Sequence, residues 1–484
     1  MPSSSGPGEA SPAPAPADES PLPRLLGLFD SVMLIVGGII GSGVFFKAKV
    51  LAEGGLHSFG PIIAAWIAVG VHTLCGTLAL AELAAMLPHP GGPYIYLREA
   101  YGRLVAFLWG WSEFWIIRTA SLGALTCATV ISLNEVLPAG VKLERGGQQA
   151  IAIGLLLLLM LINVVGTRWG ASFQDATVII KLIFLVAIIV LPVLLGRADP
   201  ANLGPIWPES LSGEFWRALG VGMIAVLWPY NGWVNATPVA GEIREPQRNL
   251  PLALVIGVSI VIAVYVLANV SYHLVLPMER IAASAGGVAA ESFRALFGET
   301  GARIAALGVM SSTLGGTGSN LLTGPRIYFA MARDGMLPAA LGQVHATFRT
   351  PAIAIVVQTL WAVVLIVAAF AWKSGPNDRL IDAFDVLTDF VIFGALLFYA
   401  LVVAAVFVLR RKRPDLPRPY RTWGYPATPF LYLVGSSAVM ISMFREKLVQ
   451  TAAGTILIAA GFGYYLWIER RRRRALPSLP IHHS

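Results

Sequence analysis

Apolar residues run along this chain in long stretches rather than in the alternation that strands show. Pro, Gly and charge separate the stretches. The pattern predicts twelve helices, near residues 28–50, 61–87, 102–132, 149–166, 171–195, 216–239, 250–276, 300–332, 352–372, 384–409, 428–445 and 450–468. Each approaches or exceeds the ~20 residues that cross a bilayer. The expected class is therefore an all-α polytopic membrane protein.

Two of the runs are interrupted. The first reads Ile-Val-Gly-Gly-Ile-Ile-Gly-Ser-Gly-Val-Phe-Phe from Ile35 to Phe46, and the sixth reads Leu-Trp-Pro-Tyr-Asn-Gly-Trp from Leu227 to Trp233. The breaks are five spans apart, so they occupy matching places if residues 26–197 and 214–410 are two copies of one unit. An odd number of spans per copy makes the copies antiparallel. A basic loop at 411–427 and two further helices within 428–468 complete this division. Matching interruptions in two halves point to a transporter's binding site.

The chemistry of the breaks supports that use. Gly41, Ser42 and Gly43 let the backbone leave helical geometry, and a helix restarting after them presents free N–H groups to a carboxylate. Close helix packing is the competing explanation, because Gly37 and Gly41 also form a small-xxx-small pair. In the second break Pro229 lacks an N–H, and Asn231 and Gly232 tolerate turns. Carbonyls near Trp228 are then expected to accept from an ammonium group; a kinked helix whose carbonyls find other donors is the alternative. Donors for an anion beside acceptors for a cation suit a zwitterion, and an amino acid is the simplest one.

Charged residues inside the runs are the next candidates. Lys181 lies about ten residues into the fifth run, too deep for its stem to reach the interface easily. It could stand in for a bound sodium ion by bracing span one, or it could serve structure alone by bonding carbonyls. Glu113 and Arg118 are five apart, not an ideal helical pair, so each is expected to pair elsewhere. Glu82 and Glu242 suit gating or loop-pinning, facing arginines such as Arg98, Arg244 and Arg248. The eighth run is dense in small polar residues (Ser311, Ser312, Thr313, Thr317, Ser319, Asn320), which fits either close packing or a water path.

Composition narrows the classes. The chain of 484 residues is 56% hydrophobic and 13% charged, about half the charge of a soluble domain, and its mean hydropathy is +0.70. That excludes a soluble enzyme, a disordered regulator and a disulfide scaffold. The +8 formal charge is assigned to the positive-inside bias rather than to nucleic acid. Arg410, Arg411, Lys412, Arg413, Arg418 and Arg421 follow the tenth run, and Arg470 to Arg474 follow the twelfth. The rule makes that side cytoplasmic, with both termini there, in a multi-pass protein of the plasma (inner) membrane. The basic tail at 469–484 is a topology determinant that could also touch anionic membrane lipid. Residues 1–25 read as a disordered cytoplasmic tail without a cleavable signal. Cys75 and Cys127 lie in apolar runs and read as small buried hydrophobes. A P-loop, a His-Glu-x-x-His spacing and a Gly-x-Ser-x-Gly elbow are all missing from the sequence, so neither an enzyme, a metal site nor a cofactor is expected.

These features resemble the amino acid–polyamine–organocation superfamily, and within it the L-type amino acid transporter family in its prokaryotic form. The resemblance rests on Gly-Gly-Ile-Ile-Gly-Ser-Gly-Val-Phe (37–45), Ala-Glu-Leu (81–83) with Pro-His-Pro-Gly-Gly-Pro-Tyr (88–94), and Ile-Ile-Arg (116–118). Gln174-Asp175 with Lys181, Trp-Pro-Tyr-Asn-Gly-Trp (228–233), Glu-Pro-Gln-Arg-Asn-Leu-Pro (245–251) and Arg326 to Pro338 complete it. It implies a fold like the bacterial leucine transporter, with five-plus-five inverted repeats and two extra helices. It implies a substrate carboxylate on the amides of Ser42 and Gly43, and an ammonium on carbonyls at Ile39 or Ile40 and at Trp228 or Pro229. Trp228 takes the place of a gating aromatic, and Lys181 that of a lysine linked to sodium independence and coupling.

The chain departs from the family in two places. The loop from Leu133 to Gln148 holds no cysteine, so a disulfide-linked heavy chain is not expected. Pro229 and Asn231 stand where many relatives carry small residues. The segment Trp228, Pro229, Tyr230, Asn231, Gly232 is expected to wall the pocket, with Asn231 suited to small polar side chains and Trp233 bounding it. The expected function is sodium-independent secondary transport of neutral L-amino acids, as an exchanger working by alternating access. A proton-coupled symporter using Glu113 or Glu242 is the alternative, and a sensor or channel on the same fold is a third class.

Overall fold

The computed structural model describes residues 24, 26–89, 91–165, 167–284, 286–372 and 380–475. Long apolar helices dominate, as the hydropathy requires. In chain order they are α1 (Leu28–Ile39), α2 (Gly43–Glu53), α3 (Phe59–Met86), α4 (Pro93–Tyr101), α5 (Arg103–Ser112), α6 (Arg118–Val136), α7 (Arg145–Val165), α8 (Thr167–Leu194), α9 (Gly213–Tyr230), α10 (Pro246–Val275), α11 (Met278–Ala282), α12 (Val288–Arg333), α13 (Ala352–Trp372), α14 (Leu380–Lys412), α15 (Ala427–Glu446) and α16 (Leu448–Ala475). A π-helical turn, Glu113–Ile117, joins α5 to α6.

Ten helices among the described residues are long and apolar enough to cross a membrane. The sixth and eighth predicted spans are not among them. The sixth stops after 18 residues, at Tyr230. The eighth lies in α12, which a non-helical Gly298 (φ 66°) divides and which carries the polar run from Ser311 to Asn320. The predicted tail at 1–25 lies outside the described residues except for Arg24, and so do residues 476–484; α16 continues through Ala475, beyond the predicted end at 468. The side chains of Gln174 and Asp175 also lie outside the described residues.

The small residues of α12 let α6 and α8 pack against it. A methyl group on Gly308 would fall 2.5 Å from the Phe184 ring, and one on Gly315 would fall 2.3 Å from the Thr177 hydroxyl. Close packing therefore accounts for much of the small-residue density in this span.

Ion pairs tie the ends of the helices on the basic side, with partners other than those expected. Glu82 accepts from Arg410 Nε (2.9 Å) and Nη2 (2.7 Å) and from the Thr422 amide and hydroxyl, both at 2.7 Å. Arg98 pairs with Asp334 at 2.6 Å, and Glu242 with Arg326 at 3.1 Å. Both carboxylates thus face arginines carried by helices, Arg410 in the last turn of α14 and Arg326 within α12. The Leu26 amide donates to the Glu242 carbonyl at 3.0 Å, and the Arg244 amide to the Leu26 carbonyl at 2.8 Å. The start of span one is pinned to the segment after span six.

Candidate functional site

Both predicted breaks are present, and they touch. Helix α1 ends at Ile39, Ile40 is extended (ψ 97°), and α2 restarts at Gly43 with Ser42 as its first cap. Geometry leaves the first amides of α2 without partners inside the helix, and the Ser42 side chain does not cap them. In the second break Pro229 stays within α9; the chain leaves the helix two residues later, at Asn231 (ψ 148°) and Gly232 (φ 107°). A proline in the last turn of a helix does not itself set the end, and here glycine does, because only glycine adopts that φ without strain.

The contact between the breaks is close enough to demand glycine on both sides. A methyl group on Gly43 would sit 2.5 Å from Pro229 Cα, and one on Gly232 would sit 2.6 Å from the Gly38 carbonyl oxygen. Side chains add to the junction. Trp228 Nε1 donates to Ser42 Oγ at 3.1 Å. The Tyr265 hydroxyl, from α10, lies 3.0 Å from the Pro229 carbonyl and 3.3 Å from that of Ile39.

The freed carbonyls are not all vacant. Trp228 O accepts from the Asn231 amide at 3.0 Å. Lys181, fully buried, donates from Nζ to Gly37 O at 3.0 Å and Ile40 O at 2.7 Å. Ser312 donates to Gly41 O at 2.8 Å. The lysine ammonium thus sits in a cage of main-chain oxygens at the end of α1, filling a place that would suit a cation. The Ile40 carbonyl also accepts from the Ser312 hydroxyl at 3.3 Å, so both of its lone pairs are engaged.

A cavity lies between the breaks. Span one contributes Gly38, Ile39, Gly41, Ser42 and Gly43, and span six contributes Trp228, Asn231, Gly232 and Asn235. Ser121 and Leu125 from α6, with Gly316 and Asn320 from α12, close it. All of these side chains are neutral. Ile40, Pro229, Tyr230 and Trp233 are not in this lining; the Tyr230 hydroxyl donates to Trp66 O at 3.0 Å, turned toward α3.

Behind the wall lies a charged cluster. Glu113 and Arg118, expected to pair elsewhere, pair with each other: Arg118 Nε and Nη2 both lie 2.9 Å from Glu113 Oε2. The π-turn supplies the reason, since its wider winding brings positions five apart into line. Arg118 Nη1 also donates to Asn320 Oδ1 at 2.8 Å. On the opposite wall the Tyr399 hydroxyl lies 3.0 Å from Asn231 Oδ1.

Away from the basic side, aromatic rings and one ion pair cover the cavity. Phe384 lies 6.1 Å from Trp228 and 5.8 Å from Phe46, centroid to centroid. Lys47 sits over the Phe384 ring and pairs with Asp385 at 2.6 Å. Glu242, named as a gate, stands on the basic side with Arg326 and outside the cavity lining.

Sequence reasoning missed Tyr265, Tyr399, Ser121, Asn235 and the Lys47–Asp385 pair. The signal for the tyrosines was weak but present: a buried Tyr needs a partner for its hydroxyl.

A helical membrane protein with two contacting breaks around a neutral cavity has the architecture of a carrier. The chain belongs to the amino acid permease family, whose model matches residues 26–465. It is 32% identical to the serine/threonine exchanger SteT of Bacillus subtilis, over 94% of this chain and 99% of that protein. It is also 32% identical to the human b(0,+)-type amino acid transporter 1, over 83% of this chain and 79% of that protein. Mouse large neutral amino acids transporter small subunit 2 is 31% identical, over 92% of this chain and 81% of its own length.

Proposed function

We propose that this chain is a sodium-independent exchanger of small neutral L-amino acids that works by alternating access. The observation that carries the reading is the neutral cavity between the two contacting breaks. The substrate carboxylate sits on the amides of Ser42 and Gly43, at the positive end of α2. The ammonium takes the remaining lone pairs of the Ile39 and Trp228 carbonyls, the two of the four expected positions that line the cavity. With no charged side chain in the lining, a cationic or anionic side chain would enter unpaired, at a high desolvation cost.

Lys181 supports the sodium-independent part of the reading, because its ammonium already bonds the carbonyls of Gly37 and Ile40. The two breaks fit a twelve-span fold with repeats at 26–197 and 214–410. The basic segment after α14 then lies in the cytoplasm, and the Lys47–Asp385 side faces out. Both cysteines are buried, in keeping with a carrier that needs no disulfide-linked partner. The relative named as a serine/threonine exchanger favours exchange of small substrates. Proton symport through Glu113 is disfavoured by its tight pairing with Arg118.

Radiolabelled uptake into proteoliposomes preloaded with single amino acids tests this. Uptake should require an internal neutral amino acid and should persist with choline in place of sodium. Accumulation driven by a pH gradient into empty vesicles would replace exchange with symport.

A further inference from the structure

The hydrogen-bonding polarity of two side chains in the cavity wall is fixed by their neighbours. The Asn320 amide has no freedom to flip. Its Oδ1 accepts from Arg118, which can only donate, and its Nδ2 donates to the Gly316 carbonyl at 2.9 Å, which can only accept. One N–H of that amide remains uncommitted. Ser121 is fixed in the opposite sense: it gives its proton to the Ile117 carbonyl at 2.7 Å, so it shows the cavity only oxygen lone pairs. Both residues line the cavity and are more than nine-tenths buried. Ser121 lies three residues beyond Arg118 on α6, on the same helix face.

We propose that this donor and this acceptor read an aliphatic hydroxyl, so that the site selects serine and threonine over alanine and valine. The substrate oxygen accepts from Asn320 Nδ2 and its proton goes to Ser121 Oγ. Arg118 is the positioning residue: clamped by Glu113 across the π-turn, it holds the Asn320 amide with its N–H toward the substrate. Asn231 does not carry the selectivity by itself, because its partner, the Tyr399 hydroxyl, can either donate or accept. A site with buried polar groups committed to a hydroxyl leaves them unpaired when the hydroxyl is missing. The inference rests on the cavity being the amino acid site, as proposed above.

The test compares serine with alanine, and threonine with valine, as external substrates for proteoliposomes preloaded with serine. The full-length protein should prefer the hydroxyl member of each pair. Ser121→Ala, and Arg118→Lys, which keeps a charge for Glu113 but loses the fork, should each lower the serine-to-alanine ratio of kcat/KM. The expected drop is about 3- to 10-fold, the worth of one hydrogen bond. Thr126→Val removes a hydroxyl bonded only to Leu122 O on the same helix and should leave the ratio unchanged. Where a variant transports too slowly, the ratio of thermal stabilisation by serine and alanine replaces it. Equal handling of both pairs by the wild-type protein, or ratios that both variants leave unmoved, would overturn the specificity assignment while leaving exchange intact. A wild-type protein that exchanges no amino acid would overturn both readings.

Discussion

The Lys181 ammonium lies 2.7 Å from the carbonyl oxygen of Ile40, the residue at which span one leaves its helix. A side chain from α8 thereby holds the broken end of α1 through two hydrogen bonds. Lys181→Ala would leave the Gly37 carbonyl without this donor and the Ile40 carbonyl with only the Ser312 hydroxyl at 3.3 Å, a cost of about 1–3 kcal/mol for a buried acceptor left bare. The variant should exchange at least about tenfold more slowly, the equivalent of ~1.4 kcal/mol. Wild-type rates in proteoliposomes would remove Lys181 from the coupling mechanism. For the unmodified protein, rates in sodium and choline buffers should match, and strict sodium dependence would refute the role given to the lysine.

The contact of Gly43 with Pro229 makes a second prediction. A Cβ at Gly43 would approach three atoms of Pro229 to 2.5–2.7 Å, and one of them is backbone, so no rotamer change relieves the clash. Gly43→Ala should separate the breaks and abolish substrate-induced thermal stabilisation. Retained stabilisation would show that the two breaks need not touch for binding.

Tyr265 joins the two breaks through one hydroxyl, which reaches the Pro229 and Ile39 carbonyls together. Tyr265→Phe keeps the ring and its packing against Trp66 and Tyr230 and removes only that bond. Exchange should fall about 3- to 10-fold, in line with a single hydrogen bond, with little change in melting temperature. A large loss of melting temperature at normal exchange would make Tyr265 structural.

The parts of this site that were legible in the sequence are those where one residue type breaks a pattern. Gly-Ser-Gly interrupts an apolar run, and Lys181 is a charge where none should be, so the first break and its brace could be read directly. The second break falls inside the expected Leu227–Trp233 segment, at Asn231 and Gly232, with Pro229 tolerated in the last turn of α9. The Glu113–Arg118 pair was hidden by its spacing. Five residues do not align on an α-helix, and nothing in Glu-Phe-Trp-Ile-Ile announces a π-turn. Glu82 meets Arg410, 328 positions away in the last turn of α14, and such a long-range pairing is set by how α3 and α14 pack together. Ser121 is one of several hydroxyls along α6, and nothing in the sequence sets it apart from Thr126 or Thr129 as the one that faces the cavity.

A pH effect is expected away from the spans, where Glu291 in the arm before Gly298 meets Arg280 and Arg294. Partial burial raises the Glu291 carboxyl, but the hydrogen bonds and charge of the two arginines outweigh it and hold the group below its ordinary value. A depressed carboxylate stabilises the fold above its unfolded pKa, and the contribution is lost as pH falls through the folded one. The melting-temperature gap between wild type and Glu291→Gln should therefore be full near neutrality and close as pH drops below about 4, the ordinary Glu range. A gap independent of pH would mean that the charge of Glu291 contributes nothing.

The Lys47–Asp385 pair joins α2 to α14 over Phe384, on the face opposite the basic loop. Lys47 is buried, while the Asp385 side chain is 40% exposed, so the pair is worth only about 1 kcal/mol. That is still enough to change the balance between closed and open forms about fivefold. Asp385→Asn leaves Lys47 with the Thr388 hydroxyl at 3.1 Å and should favour opening. A cysteine placed at Phe46, itself only 4% exposed, reports this in a background where Cys75 and Cys127 are alanine. With Asp385→Asn it should react with an impermeant maleimide about fivefold faster than without, and added substrate should slow the reaction in both. Equal labelling rates would show that the aromatic cover, and not the ion pair, keeps this face shut.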